Sequence, residues 1–402
     1  MSEKMKVPFG TMSVTDKAKN LLSQAMESGL LSSGKYVREF EEKYAELIGT
    51  KEAVAVSTGT DADTLALAVL YDYGAKRGDE IIIPSLSFVA TGNAVLHAGF
   101  KPVFVDVKLD TLNIDPDGIE KVITERTRAI MPVHLMGKPA EMDKITAIAK
   151  KHKLYVIEDA AEAHGSKYKG HNIGSIGDMA AYSLYVAHMI STVEGGIITT
   201  DNSEFAEILR SLRSHGRSCN CRSCVMNKGQ ITCEKRFKSG KDIRFIFERV
   251  GYSSKMNELE AAVGLGNIEA WPKYLATRRK NLEYLLANFG KYSPNLFSIK
   301  EDKDEFIGPH AFPVIIGKDA KFTRDELVDH LSRNGIDSRN MFLSMPTQCP
   351  GFAYLGYELG QFPAAEYVGN NGLHIGLHQD LDLRHMEYFI KVVDDFMAVN
   401  GK

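Results

Sequence analysis

The stretch Leu154-Tyr155-Val156-Ile157-Glu158-Asp159 is a short apolar run that ends in two carboxylates. A run of this length and composition predicts a strand that is buried on both faces of a sheet. Similar runs occur before and after it, among them residues 80–83 and 129–133, and helix-like or polar stretches separate them. Strands that alternate with helices predict an α/β fold with a largely parallel sheet covered on both faces.

Two features of this pattern point to ligand binding. Asp159 stands at the carboxyl end of its predicted strand, which is where open α/β sheets bind ligands. Thr58-Gly59-Thr60 lies between a predicted strand and a predicted helix, and the amides at a helix start can hold a phosphate. Each feature also has a purely structural interpretation, because Asp often caps a helix and a glycine turn often precedes one.

The composition excludes several classes of protein. The 402 residues carry a formal net charge of −3, with 44% hydrophobic and 25% charged residues. This balance is typical of globular proteins, and a near-neutral chain has no general attraction for nucleic acid or an acidic membrane. There is no apolar run of the roughly 20 residues that span a bilayer and no signal-like start, so we expect a cytoplasmic protein.

The pattern changes near Trp271, where a long charged helix is predicted at residues 273–289. A strand at 306–316, a helix at 323–334 with Thr323 as its N-cap, and a final helix at 379–399 follow it. We therefore predict a large domain over residues 1–270, which includes a cysteine-rich insertion at 217–237, and a small α+β domain over residues 271–402.

Several blocks of sequence occur in an order and at spacings typical of one family. They are Gly34-Lys35-Tyr36-Val37-Arg38-Glu39-Phe40-Glu41, Ser57-Thr58-Gly59-Thr60-Asp61-Ala62, Ser87-Phe88-Val89-Ala90-Thr91, Ile157-Glu158-Asp159-Ala160-Ala161-Glu162-Ala163-His164-Gly165, Glu194-Gly195-Gly196 and Gly251-Tyr252-Ser253-Ser254-Lys255-Met256-Asn257-Glu258. The chain resembles the DegT/StrS nucleotide-sugar aminotransferases, which are fold-type I pyridoxal phosphate (PLP) enzymes. The resemblance implies an aspartate aminotransferase-like fold, with a mostly parallel seven-stranded sheet in the large domain and a smaller α+β C-terminal domain.

The resemblance also assigns cofactor-binding residues. Asp159 would pair with the pyridine nitrogen and keep it protonated, so that the ring accepts electrons. Phe88 would stack on the ring. Gly59, Thr60 and Ser183 would hold the phosphate. Glu162 would approach the ring hydroxyl, at a position where many relatives have Gln. Ser253 would reach the phosphate of the neighbouring subunit, at a position where relatives often have Asn.

His188 is the largest departure from the aminotransferase pattern. Aminotransferases of the family have a Lys at this position, which binds PLP covalently and moves protons. Imidazole forms no such stable link, yet it can move a proton near neutral pH. The branch with His here resembles the nucleotide 4-keto-6-deoxyhexose 3-dehydratases, which use pyridoxamine phosphate (PMP) without a covalent bond. Its neighbours Ala187 and residues 190–192 suit that branch, which favours a natural His over an engineered replacement.

A cluster of cysteines predicts a second site, which would bind a metal or an iron–sulfur cluster. Four of the five cysteines lie between residues 219 and 233, and such a cluster in a chain without export signals indicates a metal or iron–sulfur site. The segment resembles the insertion in iron–sulfur 3-dehydratases, where a cluster carries electrons from a flavin reductase. Thiolates suit iron–sulfur clusters and also zinc, so structural zinc is the alternative. The expected ligands are Cys219, Cys221, Cys224 and Cys233.

These implications combine into one expectation with three alternatives. We expect a homodimeric PMP-dependent 3-dehydratase of a nucleotide-linked sugar, with His188 as the base and with a flavin or iron–sulfur reductase as its partner. The alternatives are a dehydratase without reduction that has a structural zinc site, an aminotransferase, and a non-catalytic metal-binding regulatory protein. No partner in nucleic acid or membrane is expected.

Overall fold

The computed structural model describes residues 6–219, 221, 233–238 and 240–401. Within them, helices and strands alternate up to residue 212. These elements are α1 (Asp16–Ser28), α2 (Lys35–Ile48), β1 (Glu52–Val56), α3 (Gly59–Ala68), β2 (Glu80–Pro84), α4 (Val89–His97), β3 (Lys101–Val105), α5 (Pro116–Ile119), β4 (Thr127–Ile130), α6 (Met142–His152), β5 (Tyr155–Asp159), β6 (Lys167–Tyr168), β7 (His171–Asn172), β8 (Met179–Ser183), β9 (Gly196–Thr200) and α7 (Ser203–Leu212).

The C-terminal part of the chain is rich in short strands and antiparallel pairs. Its elements are β10 (Phe237–Lys238), β11 (Lys241–Asp242), α8 (Glu258–Phe289), β12 (Leu296–Phe297), β13 (Glu305–Phe306), β14 (Ala311–Ile316), α9 (Arg324–Arg333), β15 (Ser338–Asn340), α10 (Met345–Gln348), α11 (Pro363–Asn371), β16 (Gly372–Gly376) and α12 (Leu383–Asn400). Thr323 and Asp382 cap α9 and α12 through their side chains.

The central sheet has seven strands in the order β1-β9-β8-β5-β4-β2-β3. The neighbouring strands from β8 to β3 are parallel, and only β9 runs antiparallel to its two neighbours. Alternate strand residues feed two hydrophobic cores, as Ile81 and Ile83 lie in one and Ile82 in the other. The predicted α/β fold with a mostly parallel seven-stranded sheet is confirmed.

A four-stranded antiparallel sheet, β12-β14-β16-β15, forms the centre of the C-terminal part. Several predicted boundaries differ here. The strand predicted at 306–316 is divided into β13 and β14, since residues 307–310 leave the extended ladder. The helix predicted from residue 273 is the second half of α8, which begins at Glu258 with Asn257 as its cap. The predicted domain boundary at residue 270 lies within this helix, and the division into 1–270 and 271–402 stays a prediction.

Glu258, the first residue of α8, joins this helix to the start of α2. Its buried carboxylate accepts hydrogen bonds from the amides of Gly34 (2.7 Å), Tyr36 (3.0 Å) and Val37 (3.0 Å). Amides at a helix start have no partner within the helix, so a buried acceptor there satisfies donors that would otherwise be costly.

We predict that Glu258→Ala lowers the free energy of unfolding by roughly 3 kcal/mol, because three amides lose their charged acceptor. Glu269→Ala, on the exposed side of the same helix, is the matched control and should cost less than about 1 kcal/mol. Denaturant unfolding followed by circular dichroism measures both. Equal losses in the two variants would contradict the prediction.

Candidate functional site

The candidate site lies where the ends of four strands meet. Strands β5 and β8 are parallel, and β9 pairs antiparallel with both β8 and β1. The carboxyl ends of β1, β2, β5 and β8 therefore share one edge of the sheet with the start of β9. This edge is where ligands bind in open α/β folds.

Asp159 ends β5 and is buried beneath this edge. It accepts hydrogen bonds from Thr91 Oγ1 (2.7 Å) and from the amide of Ala161 (3.2 Å). Burial raises the pKa of Asp159 in spite of these bonds. A cationic N–H group placed against this carboxylate would therefore stabilise its ionised form. The contact between Thr91 and Asp159 was not predicted from the sequence. Thr91 also contacts Ser87, four residues earlier in the chain, and the two hydroxyl oxygens lie 2.8 Å apart.

Phe88 precedes α4 and presents an open ring at the same edge. Its side chain is 57% exposed, and the one ring that lies near it in the described chain is Phe342, with centroids 5.6 Å apart. The exposure of Phe88 leaves an aromatic face free for a flat partner.

The first turn of α3 lies against the end of β8. A Cβ atom at Gly59 would lie only 2.6 Å from Ser183 Cβ, so no side chain fits there. A Cβ at Gly196 would lie 2.1 Å from Thr58 O. The amides of the first turn have no partner within the helix, and the half-buried Thr60 belongs to this turn. The arrangement offers backbone donors, a hydroxyl and a positive helix end to an anion.

Glu162 lies in the turn after β5 and is buried. One of its oxygens accepts a hydrogen bond from the amide of Met136 (2.8 Å), and the other lies 3.8 Å from Nε2 of His310. Burial raises the pKa of Glu162 to about 7, and the charge of Asp159 adds to the effect. This carboxyl group therefore changes its charge near neutral pH.

His188 lies in the loop between β8 and β9. Its Nδ1 atom is buried and has no hydrogen-bond partner within the described residues. Burial, followed by the charge of Arg278, lowers the pKa of His188 to about 4. The imidazole is therefore neutral at pH 7, with a nitrogen lone pair that can accept a proton.

The other predicted site residues lie elsewhere or outside the described chain. Ser253 is exposed and pairs through its backbone with Ser214, so its role toward a second subunit stays a prediction. Cys219, Cys221 and Cys233 are half-buried, whereas Cys224 is not among the described residues. No group of three His, Cys, Asp or Glu side chains in the described ranges is arranged to hold a metal. The described part of the insertion therefore gives the metal prediction no support.

The residues at the strand ends fit PLP or PMP. The buried Asp159 suits a pyridinium nitrogen, the open ring of Phe88 suits a flat heterocycle, and the close approach of Gly59 to Ser183 suits a phosphate. These are three independent requirements of one ligand, and they are met along one edge of the sheet. Each assignment stays a prediction for the residue concerned.

Comparison with known proteins agrees with this arrangement. Residues 13–394 match the DegT/DnrJ/EryC1/StrS aminotransferase family. The chain belongs to this family. The family resemblance inferred from the sequence blocks is thereby confirmed.

Relatives in the family carry different activities. The chain is 33% identical to a dTDP-4-dehydro-2,6-dideoxy-D-glucose 3-dehydratase of Saccharopolyspora spinosa, over 97% of this chain and 86% of the relative. It is also 33% identical to a GDP-perosamine synthase of Caulobacter vibrioides, over 99% of this chain and 100% of the relative. The solved structure of an E. coli GDP-4-keto-6-deoxy-D-mannose-3-dehydratase with bound hydrated PLP is 29% identical, with a TM-score of 0.83, over 97% of this chain and 100% of that chain. Membership in the family therefore does not separate dehydration from amination. Among the described residues, every helix is too short or too polar to cross a bilayer.

We predict that Gly59→Ala weakens binding of PMP about tenfold or more, because the new Cβ pushes α3 away from Ser183. Gly351→Ala is the control, since a Cβ there meets no atom within 4 Å. Quenching of intrinsic fluorescence during titration with PMP gives both dissociation constants. Unchanged affinity in Gly59→Ala would show that the phosphate binds elsewhere.

The cysteine segment leads to a separate prediction. We predict that the segment holds an iron–sulfur cluster or zinc and that Cys233→Ala loses most of the bound metal, because a thiolate ligand is removed. Cys349→Ala, which changes a cysteine that packs against the main core, should retain it. Iron, sulfide and zinc are measured after anaerobic purification. A wild-type protein that contains neither iron nor zinc would refute the prediction.

Proposed function

We propose that the chain is a PMP-dependent 3-dehydratase of a nucleotide-linked 4-keto-6-deoxyhexose, with His188 as the base. The proposal rests on the match of the strand-end residues to PLP or PMP and on relatives whose names include nucleotide-sugar 3-dehydratases. The expected reaction removes the hydroxyl at carbon 3 of the sugar as water.

The single observation that carries the proposal is the imidazole at position 188. A lysine in this loop would give the site a primary amine that can bind PLP covalently. His188 offers only ring nitrogens, of which Nδ1 is buried and without a partner in the described chain. The residue can therefore take up and return a proton but cannot bind the cofactor covalently.

The other residues hold the reacting groups against this base. When bound, the cofactor supplies an amine for the sugar ketone and a ring that accepts electrons. Asp159 would hold its ring nitrogen in the protonated state, and Thr91 would orient the carboxylate from below. Phe88 would cover one face of the ring, while Gly59 and Ser183 would hold the phosphate. Ser253 would complete the phosphate site of a neighbouring subunit in the proposed homodimer.

An aminotransferase is the second candidate, and the similarity to a GDP-perosamine synthase favours it. The residue at 188 separates the two reactions, because a lysine there would displace the amino product from the cofactor and bind PLP covalently, whereas an imidazole can only move protons. Whether reduction follows dehydration depends on the cysteine segment. A bound cluster would accept electrons from a flavin reductase. A redox-silent zinc or an empty segment would favour hydrolysis with release of ammonia, which requires an amino donor such as glutamate.

We predict that borohydride reduction of the wild-type protein with PLP leaves its mass unchanged, because no amine at position 188 binds the cofactor. His188→Lys should gain one reduced pyridoxyl group, which intact-protein mass spectrometry detects. The double variant His188→Lys/Asp159→Asn should label less, because the ring nitrogen loses its partner. The matched control is His188→Asn, which has neither a base nor an amine.

Product analysis completes this test. Wild-type protein supplied with PMP and GDP- or dTDP-4-keto-6-deoxyhexose should yield a deoxygenated sugar, detected by mass spectrometry, whereas His188→Asn should yield none. A pyridoxyl adduct on the wild-type chain, or an aminated hexose as its main product, would refute the proposed function.

A further inference from the structure

His310 lies against His188, although it is separated from it by more than a hundred residues. The ring centroids are 5.1 Å apart and the ring planes meet at 32°. The side chain of His310 is 8% exposed, and its Nδ1 atom has no hydrogen-bond partner among the described residues. At this distance the two imidazoles are in contact, with their rings tilted against each other.

The position of His310 is set by a buried arginine. Arg278 on α8 donates hydrogen bonds from Nη1 to the carbonyl oxygens of Pro309 (3.2 Å) and His310 (3.3 Å). Its Nε and Nη2 atoms donate to Gln379 Oε1 (3.3 and 3.1 Å). The backbone of His310 is therefore attached to α8, which fixes the point from which its side chain extends.

The other side of His310 faces a carboxyl group. Nε2 of His310 lies 3.8 Å from Glu162 Oε1, while Glu162 Oε2 is held by the amide of Met136. Glu162, His310 and His188 thus form a continuous row from the turn after β5 to the loop after β8. Both ends of this row belong to the candidate site.

This row addresses a weakness of His188 as a base. A buried imidazole beside a guanidinium binds a proton poorly, so proton uptake requires negative charge or a polarisable neighbour nearby. An ionised carboxylate at Glu162, next to the ring that contacts His188, supplies negative charge of this kind.

We propose that His310 is a positioning residue that couples the Glu162 carboxyl group to His188, so that the three side chains accept a proton as one unit. The proposal rests on the proposed role of His188 as the base. It adds a residue that no sequence block indicated and gives Glu162 a second task beside its expected contact with the ring hydroxyl.

Other charged and titratable groups also lie near Glu162, His310 and His188, and their charges influence how readily these side chains bind a proton. They are Arg278 on α8, His164 after β5, His374 on β16 and the carboxylate of Asp159. Arg278 disfavours protonation of His164, His188 and His310, whereas a negative charge on Glu162 favours protonation of the adjacent His310. Since burial raises the pKa of Glu162 to about 7, the coupling should become visible as the pH passes through neutrality.

The test uses the cofactor-free full-length protein labelled with [15N]histidine, so it does not depend on turnover. Imidazole nitrogen signals are recorded between about pH 5 and pH 9, and His188 is assigned from the signal that His188→Asn lacks. In the wild type, the His188 signals should shift near pH 7 as Glu162 ionises. His310→Phe keeps a ring against His188 but removes Nε2, and it should abolish this shift, as should Glu162→Gln.

The matched control is His330→Asn, which removes an imidazole bonded to the carbonyl of Val392 between α9 and α12, and it should leave the shift unchanged. His310→Asn serves in place of His310→Phe if circular dichroism shows that the latter does not fold. A wild-type His188 signal that does not respond near neutral pH, or a shift that persists in the folded His310 variant, would overturn the proposal. Formation of an amino sugar would refute the proposed function but would leave this measurement valid.

Discussion

The buried carboxylate of Glu158 is the interaction on which the site depends. It accepts hydrogen bonds from the amides of Gly174 (3.0 Å), Ile176 (3.0 Å) and Gly177 (2.7 Å) and from Nε2 of His134 (3.1 Å). His134 Nδ1 accepts from the amide of Ala140, so Nε2 carries the proton. His134 and the amides outweigh the cost of burial, and the pKa of Glu158 lies below its usual value. This network attaches the end of β5 to the segments after β4 and before β8, and so it determines where the adjacent Asp159 lies.

Much of the fold could be predicted from the sequence because its signals are local. A buried parallel strand is a continuous apolar run, and a helix cap such as Thr323 is one residue before a periodic segment. The location of Asp159 at a strand end and of Gly59 at the start of the helix after a strand followed from the general geometry of α/β sheets. Boundaries were less accurate where tertiary contacts decide them. The start of α8, for example, depends on Asn257 and Glu258, whose partners include residues far away in the sequence.

The contacts within the site could not be predicted in the same way. His310 and Glu162 meet only because the loop before β14 folds back onto the turn after β5, and no periodic pattern encodes such a contact. The exposure of Phe88 likewise depends on what packs above α4. The resemblance to a family supplied roles for residues in shared motifs but gave none to His310, which lies outside them. The cysteine segment shows the opposite case, because its motif is evident while Cys224 lies outside the described residues.

The single reversed strand of the central sheet, β9, has a consequence for the loop that carries His188. Because β9 returns beside β8, the loop that carries His188 begins and ends at neighbouring positions, and backbone hydrogen bonds between Leu184 and Gly195 and between Thr192 and Leu184 close it. The side chain at 188 contributes nothing to that closure. A substitution at position 188 can therefore exchange an imidazole for another functional group while these backbone hydrogen bonds stay in place.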